Sequence, residues 1–217
     1  GSGIGGLDVG SVQLKLNDDG FYTLMIGCSD MGTGCDTILA QMAADGLGCD
    51  MDNIIVRGVD TDQSPYDSGS YASSTTYVTG GAVVKACESM RKRICEEAAA
   101  IMGLKSGEVD FDGETISEND NPEHSMTLSD LITSLEAGRG RIIEVTESHT
   151  SPVSPPPFMA GAAEIEVDLE TGKITPINYV AAVDCGTVIN TNLARIQTEG
   201  GIVQGMGMTL YEDVQYT

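Results

Sequence analysis

The sequence predicts an α+β fold, in which mixed sheets are flanked by helices and a hairpin–loop–helix unit occurs in two similar halves. The unit appears at residues 12–47 and again at residues 163–211, each time as alternating apolar residues, a glycine-containing loop and a helical spacing. Strands and helices do not alternate regularly, which disfavours a parallel βαβ architecture. We expect a first half over residues 1–150 and the start of a second, truncated half over residues 151–217.

The first half contains the clearest elements. Apolar residues alternate over residues 12–16 and 22–26 on either side of an Asn-Asp-Asp-Gly turn, which predicts a hairpin. Apolar residues at helical spacing predict a helix over residues 36–47. A three-to-four-residue apolar step predicts a long helix over residues 75–102, with an apolar side that includes Ile101.

Shorter elements follow from the same rules. Four of the seven prolines lie in residues 151–157, which we interpret as the connector between the halves. The remaining elements expected are a strand at 54–59, a short hairpin and a helix near 129–137 within the acidic segment 104–140, a strand at 142–146, a second hairpin at 165–183 and a final helix at 192–211.

The charge balance excludes several classes of function. The chain has 33 acidic and 11 basic side chains in 217 residues, a formal net charge of −22. Nucleic acids and anionic membrane surfaces attract clusters of basic residues, which this chain lacks. No uncharged apolar stretch approaches the ~20 residues that span a bilayer. We therefore expect a small-molecule ligand, with no nucleic-acid and no membrane partner.

The cysteines indicate a reducing compartment. The chain has six cysteines without a C-x-x-C pair and only two histidines, which disfavours a structural zinc site. Cys87 and Cys95 fall on the apolar side of the predicted long helix and are expected to be buried free thiols. This usage favours a cytoplasmic protein over a secreted disulfide scaffold.

Three loops lie beside predicted helices and are candidates for ligand binding. Residues 28–34 (CSDMGTG) place two glycines before a helix, where backbone N–H groups and the helix dipole favour an anion. Residues 67–76 (DSGSYASSTT) bring six serine and threonine hydroxyls to the start of the long helix, although one residue suffices for a cap. An ordinary strand–helix connection and a solvated loop are the respective alternatives.

The third loop lies in the final helix. Residues 199–207 (EGGIVQGMG) hold four glycines at a cost to the helix of ~1 kcal/mol each. Such a cost suggests the close approach of another backbone or of a cofactor. Gln204, between apolar neighbours, is then expected to be a buried amide that needs hydrogen-bond partners. The cluster Asp60, Asp62 and Asp67 is interpreted as a solvated polar loop.

These motifs, in this order, resemble the molybdenum-cofactor-binding subunit of the xanthine dehydrogenase and aldehyde oxidase family of molybdenum hydroxylases. Residues 30–34 are similar to the family's E-M-G-Q-G loop, and residues 69–77 with Gly80 resemble its serine-rich loop. Residues 183–186 with Asn190, followed by residues 197–207, look like its last signature. Residues 1–4 with 17–20 are similar to its entry into this domain.

The resemblance implies a molybdenum–molybdopterin cofactor, with or without an attached cytosine nucleotide. Met31, Gly32 and Thr33 would contact the pterin or phosphate end through backbone N–H groups. Gln204 would hydrogen-bond near the dithiolene and the metal's oxo or sulfido groups. The phosphate and nucleotide side would meet Ser70, Ala72, Ser73 and Thr75. No residue of the chain is assigned as a metal ligand.

The resemblance also implies a reaction and partners. The complete enzyme would hydroxylate a purine-like N-heterocycle or an aldehyde, with oxygen from water and electrons passed to iron–sulfur and FAD subunits or domains. The family's catalytic glutamate lies in a G-x-G-E stretch expected beyond Thr217, so no catalytic residue is assigned and the isolated chain is expected to be inactive and self-associating. Thr33 stands where the family commonly has Gln, and Thr191 where Pro is usual. The alternative function is a non-catalytic pterin-nucleotide-binding or structural module.

Overall fold

The structure, a computed structural model, describes residues 5–216, so the motif at residues 1–4 lies outside the described residues. The chain divides into a first unit that ends at Ser154 and a second unit that begins at Pro155. The strands are β1 (Val9–Leu16), β2 (Tyr22–Ile26), β3 (Ile54–Arg57), β4 (Val109–Phe111), β5 (Thr115–Glu118), β6 (Asn121–Thr127), β7 (Glu144–Thr150), β8 (Phe158–Val167) and β9 (Ile174–Asp184). The helices are α1 (Cys35–Leu47), α2 (Thr75–Met102), α3 (Leu128–Arg139) and α4 (Thr191–Leu210).

The predicted α+β fold is confirmed, and its main sheet lies in the first unit. The strand order is β3-β2-β1-β7, with β1 antiparallel to both neighbours and β2 parallel to β3. The predicted hairpin forms because alternate residues of β1 and β2 are buried, among them Leu14, Tyr22 and Leu24. The chain passes from β2 through α1 to β3, which makes a βαβ crossover inside the mixed sheet.

Helix α2 lies directly on the sheet because small residues let it approach β1. A Cβ atom added to Gly10 would lie only 2.5 Å from the Cα atom of Thr79, so the strand and helix backbones are in contact there. Further along α2, Lys85 donates a hydrogen bond to the Ser148 carbonyl of β7 at 3.2 Å. The buried side of α2 includes Met90 and Ile94, as the apolar spacing predicts.

Three details differ from the sequence-based expectation. Ile101 is exposed and Cys95 is only partly buried, because α2 extends beyond the sheet that covers its earlier turns. The acidic segment forms three antiparallel strands, β4-β5-β6, where a hairpin was expected. β6 is an exposed edge strand, so its sequence lacks the apolar alternation that would reveal it. β7 lies a few residues later than expected, since its residues are mostly polar and its place is fixed by pairing with β1.

The second unit consists of the β8–β9 hairpin and α4. The two strands pair antiparallel from Phe158 opposite Asp184 to Val167 opposite Ile174. Apolar side chains on both strands remain exposed, for example Ile165 and Val180. A cavity of about 680 Å³ lies between the hairpin and α4, lined mainly by apolar groups such as Met159 and Met206. Across the described part of the chain, no helix combines the length and apolarity needed to cross a membrane.

The contact at Gly10 gives a first testable prediction. Replacing Gly10 by Ala should lower the free energy of unfolding by about 1–3 kcal/mol, because the new Cβ meets the Thr79 backbone, which cannot rotate away. Urea unfolding of the chain measures this difference. Gly58→Ala is the control, since no atom of the described residues lies within 4 Å of a Cβ placed there. Equal stability of the two variants would show that α2 does not pack on β1 in this way.

Candidate functional site

Parallel pairing of β2 and β3 brings two loops to the same edge of the sheet. Residues 27–34 connect the end of β2 to α1, and residues 58–74 connect the end of β3 to α2. Because the carboxyl ends of parallel neighbours lie at one edge, both helices begin there. The Ser70 hydroxyl joins the two loops by donating a hydrogen bond to the Ser29 carbonyl at 2.6 Å.

Contacts between α1 and α2 show that the helices run in the same direction. Near its middle, α1 places Met42 beside Gly80 of α2. Two turns further along α2, the Cys87 thiol donates to the Ala43 carbonyl, with 3.7 Å between sulfur and oxygen. Arg91 then reaches the Leu47 carbonyl at the end of α1, at 3.1 Å. Both positive helix ends therefore face the edge where the loops lie.

The first loop is folded around a carboxylate of its own. Asp30 Oδ1 accepts hydrogen bonds from the Gly32 N–H at 2.8 Å and the Gly34 N–H at 3.2 Å. Asp30 Oδ2 accepts a longer one from the Asp36 N–H at 3.4 Å. Desolvation, which acts to raise the pKa of Asp30, is outweighed by the bonds from Gly32, Gly34, Asp36 and the Thr33 backbone, so its pKa is lowered. The donors expected to meet a cofactor are thus partly engaged.

This arrangement changes the interpretation of the predicted contacts in the loop. Met31, Gly32 and Thr33 lie where the sequence predicts, with the Met31 side chain 69% exposed. The Gly32 N–H, however, is directed at Asp30 and not at open space. Sequence reasoning missed this role of Asp30. The signal was the Asp-x-Gly pattern, in which an aspartate commonly accepts from the backbone two residues on.

The second loop contains the least favourable backbone conformation of the described residues. Ala72 and Ser73 have φ of 51° and 56°, and among the described residues they are the non-glycine positions with positive φ. The Ser74 N–H donates to the Tyr71 carbonyl at 3.1 Å. Positive φ at both central residues together with this bond is the pattern of a type I′ turn over residues 71–74, which Gly, Asn and Asp normally occupy. Each left-handed non-glycine residue costs roughly 1–2 kcal/mol.

The turn leaves backbone donors available at the start of α2. Ser74 does not cap the helix, because its side chain donates instead to the Tyr71 carbonyl at 2.8 Å. Within the described part of the chain, no acceptor is bonded to the four N–H groups of Ala72, Ser73, Thr75 and Thr76. Free N–H groups at a helix N-terminus, combined with its dipole, favour an anion. Three of these four residues belong to the predicted site.

Two further side chains hold the second loop in place. Asp67 accepts hydrogen bonds from the Gly69 N–H at 2.8 Å and from the Thr79 hydroxyl at 2.9 Å. The interpretation of Asp67 as a solvated loop residue is therefore wrong. Tyr71 donates its hydroxyl proton to Asp8, which is 2% exposed, across 2.5 Å, and this bond raises the pKa of Tyr71.

Gln204 is the predicted site residue that belongs to the second unit. Gln204 lies on α4 in the second unit and is exposed, so the expected buried amide is wrong for the described residues. The expected close approach at the helix glycines is also missing there. A Cβ built on Gly200, Gly201 or Gly205 meets no described atom within 4 Å. The apolar neighbours of Gln204 face a surface that the described residues leave open, which the sequence pattern alone does not distinguish from a core.

Comparison with known proteins decides the family. The sequence model of the molybdopterin cofactor-binding domain matches residues 1–217. The chain belongs to this family. The resemblance to molybdenum hydroxylases is thereby confirmed, and the two loops described above are the serine-rich and glycine motifs on which it was recognised.

The similar proteins are much longer than this chain. The Escherichia coli K12 protein named "Probable hypoxanthine oxidase XdhD" is 32% identical over 216 residues, which cover 99% of this chain and 22% of that protein. The carbon monoxide dehydrogenase large chain of Afipia carboxidovorans is 25% identical over 95% of this chain and 26% of its own length. The crystal structure of quinoline 2-oxidoreductase from Pseudomonas putida 86 matches with a TM-score of 0.84 at 25% identity, over 97% of this chain and 28% of that one. This chain therefore spans about a quarter of each.

A cluster of possible metal ligands lies beside the first loop of this family member. Single ligand atoms of Asp30, Cys35 and Asp36 lie within 4.8 Å of one another. A hydrogen bond with Cys28, burial and the neighbouring carboxylates together raise the pKa of the Cys35 thiol. Because metals bind the thiolate and not the thiol, this environment disfavours Cys35 as a ligand at neutral pH. The carboxylate of Asp30 is in addition engaged with the backbone.

The low pKa of Asp30 gives a second prediction. Asp30→Asn should lower the free energy of unfolding at pH 7 by about 0.5–1 kcal/mol, because an amide is a weaker acceptor and the site is exposed to solvent. The pKa of Asp30 is lower in the folded chain than its ordinary value of 3.8. The stabilisation is thus complete above pH 3.8 and is lost as the pH falls through the folded value.

Urea unfolding from pH 7 down to pH 3 tests this dependence. The difference in the free energy of unfolding between the original chain and Asp30→Asn should become smaller below pH 3.8. Asp18→Asn is the control, since no hydrogen bond to Asp18 is found among residues 5–216. A difference that stays constant over this range would contradict the role given to the Asp30 carboxylate.

Proposed function

We propose that this chain is the cofactor-binding part of the large subunit of a molybdenum hydroxylase and that its second loop holds the anionic end of the molybdopterin. The observation that carries the proposal is that the N–H groups of Ala72, Ser73, Thr75 and Thr76, at the positive end of α2, have no acceptor among the described residues. Neutral backbone donors at a helix start fit a phosphate group. The family membership of the chain supplies the identity of the anion.

The other predicted residues take adjoining roles in this proposal. The Ser70 hydroxyl lies between the loops and would contact the same phosphate or an attached cytosine nucleotide. Met31, Gly32 and Thr33 would flank the pterin, and Gln204 would approach the dithiolene and the metal's oxo or sulfido groups. The fit of the first loop is weaker than that of the second, because Asp30 places a negative charge there.

The proposed reaction follows from the cofactor. When bound, the molybdenum centre supplies a two-electron oxidation of a carbon atom in an N-heterocycle or aldehyde, with oxygen from water. The residues of this chain bind and orient the cofactor, and we assign none of them as catalytic. Electrons would leave through iron–sulfur and FAD subunits or domains. The six free thiols of the chain support a cytoplasmic location, where thiols stay reduced.

A second function is favoured by one observation. The first loop satisfies its own N–H groups with Asp30, as a purely structural loop would. A non-catalytic pterin-nucleotide-binding or structural module is therefore the alternative. Molybdenum and pterin analysis of the whole protein that carries this chain, after expression in a host that makes the cofactor, separates the two functions. A catalytic subunit contains both in near-equal amounts and turns over an N-heterocycle or aldehyde, a non-catalytic pterin-nucleotide-binding module contains the pterin without turnover, and a structural module contains neither.

Charge at position 75 gives a third prediction, which tests the anion site. Thr75→Glu should weaken cofactor binding about fivefold or more and so lower the molybdenum content of the whole protein, because a carboxylate ~4 Å from the phosphate costs about 1–4 kcal/mol. The same carboxylate at the first residue of α2 favours the helix, so the thermal stability of the cofactor-free protein should be kept.

Thr75→Gln is the matched control, since it has the same size without the charge and should retain molybdenum. Metal analysis and a thermal unfolding curve are measured for all three proteins. If Thr75→Glu retained as much molybdenum as Thr75→Gln, the start of α2 would not be the anion site.

The second unit gives a fourth prediction. We propose that the isolated chain, which is inactive under this proposal, self-associates through exposed apolar residues such as Ile165, Val180 and Val203. Light scattering should show a mass that rises with concentration, and Val180→Lys should reduce the rise. Val84 lies on α2 and is also exposed, but Val84→Lys should leave the rise in mass unchanged. A constant monomer mass at high concentration would contradict self-association.

A further inference from the structure

The type I′ turn at residues 71–74 needs an explanation, because its sequence does not favour it. Its central residues are Ala72 and Ser73, and neither has the freedom of Gly or the local hydrogen bonds that let Asn adopt positive φ. Such a conformation persists only where surrounding contacts determine it. The contacts that do so must act on the residues that flank the turn.

Tyr71 is the flanking residue whose side chain is hydrogen-bonded to a residue outside the loop. Its carbonyl accepts two hydrogen bonds from Ser74, one from the N–H at 3.1 Å and one from the hydroxyl at 2.8 Å, so the turn closes on it. Its ring hydroxyl donates to Asp8, a carboxylate that is 2% exposed. The Tyr71 N–H donates to the Gly69 carbonyl at 2.9 Å. Both the side chain and the backbone of Tyr71 are therefore tied.

The anchor of Tyr71 is itself held by the sheet. Asp8 directly precedes β1, and the next residue, Val9, exchanges two hydrogen bonds with Ser68. The Ser68 N–H donates to the Val9 carbonyl at 2.8 Å, and the Val9 N–H donates to the Ser68 hydroxyl at 2.9 Å. The loop before α2 is thus paired with the start of β1 on one side of Tyr71. A hydrogen bond to a buried carboxylate is among the stronger ones in proteins.

We propose that the Tyr71–Asp8 hydrogen bond positions the turn at residues 71–74, so that the N–H groups of Ala72 and Ser73 stay directed at the anion bound at the start of α2. Tyr71 is a positioning residue in this scheme, since it acts through the turn and needs no contact with the ligand. The inference rests on the proposed function, because it takes the anion to be the phosphate end of the molybdopterin. Family membership does not explain why the backbone at Ala72 and Ser73 is left-handed, whereas the Tyr71–Asp8 hydrogen bond gives a cause.

Removing one hydroxyl tests the inference and is the fifth prediction. In the whole protein loaded with cofactor, Tyr71→Phe should raise the rate at which molybdenum and pterin are lost about tenfold or more, because the turn relaxes toward negative φ. Turnover per bound molybdenum atom should be unchanged, since Tyr71 does not touch reacting atoms. The cofactor-free Tyr71→Phe protein should unfold at a somewhat lower temperature, because Asp8 loses a strong hydrogen bond, so the rates of cofactor loss are compared well below that temperature.

Tyr77→Phe is the matched control. Tyr77 lies in the first turn of α2, is partly exposed, and its hydroxyl has no hydrogen-bond partner among the described residues, so its loss should leave cofactor retention unchanged. A triple variant, Tyr71→Phe with Ala72→Gly and Ser73→Gly, separates positioning from packing when its retention is compared with that of the double variant Ala72→Gly with Ser73→Gly, which lacks the same Ser73 hydroxyl. Glycine adopts positive φ without the clash that a Cβ causes, so the triple variant should recover slow cofactor loss.

Each outcome bears on a different claim. If Tyr71→Phe loses cofactor no faster than Tyr77→Phe, or if the glycines do not restore retention, the positioning role of Tyr71 is wrong while the anion site stands. If the original protein contains neither molybdenum nor pterin, the proposed function is wrong and this inference with it. Fast loss of cofactor in Tyr71→Phe, with slow loss restored in the triple variant, supports both the proposed function and the positioning role of Tyr71.

Discussion

The site depends on the parallel pairing of β2 with β3. This pairing makes both strands end at one edge of the sheet, so the loops that follow them, and the helices that follow the loops, begin side by side. The parallel contact of α1 with α2 is a consequence, and Gly80 allows it by leaving room for Met42. An antiparallel β3 would place the starts of α1 and α2 at opposite edges. The strand order places the two loops side by side, and the Ser70–Ser29 hydrogen bond then joins them.

The charge of the chain limits how an anion can be recognised at this edge. The net charge is −22, and neither residues 27–36 nor residues 60–78 contain a lysine or an arginine. Attraction at long range is therefore absent, and binding must come from short-range donors whose dipoles are fixed before the ligand arrives. Backbone N–H groups at a helix start provide such donors without a counter-charge. This explains why the second loop is rich in small residues with a tightly bonded backbone.

The sequence predicts the elements better than it predicts the site. Periodic apolar spacing locates α1, α2 and the first hairpin within a residue or two, because their buried faces are continuous. It misses β6 and places β7 a few residues too early, because the positions of both strands depend on partners and not on their own composition. The sequence predicts where the two loops of the site lie, because small residues precede each helix. It does not predict the left-handed backbone at Ala72 and Ser73, since nothing in the local sequence favours positive φ there.

The remaining errors share one physical origin, which is that a side chain's partner is set by tertiary contacts. The sequence predicts that the Asp67 side chain is solvated, yet it accepts a hydrogen bond from the Thr79 hydroxyl, twelve positions away. The apolar neighbours of Gln204 predict a buried side chain, yet Gln204 is exposed among the described residues.

The two loops also differ in a way that only the structure reveals. The first satisfies its N–H groups with Asp30, and a ligand that used those donors would have to displace a carboxylate. The second combines an unfavourable backbone with donors that have no acceptor among the described residues, and an anion bound as proposed would offset both costs. Because a ligand stabilises the state that binds it, cofactor binding should be linked to folding mainly through the second loop. The first loop would keep its shape with or without the cofactor, because its N–H groups are already bonded to Asp30.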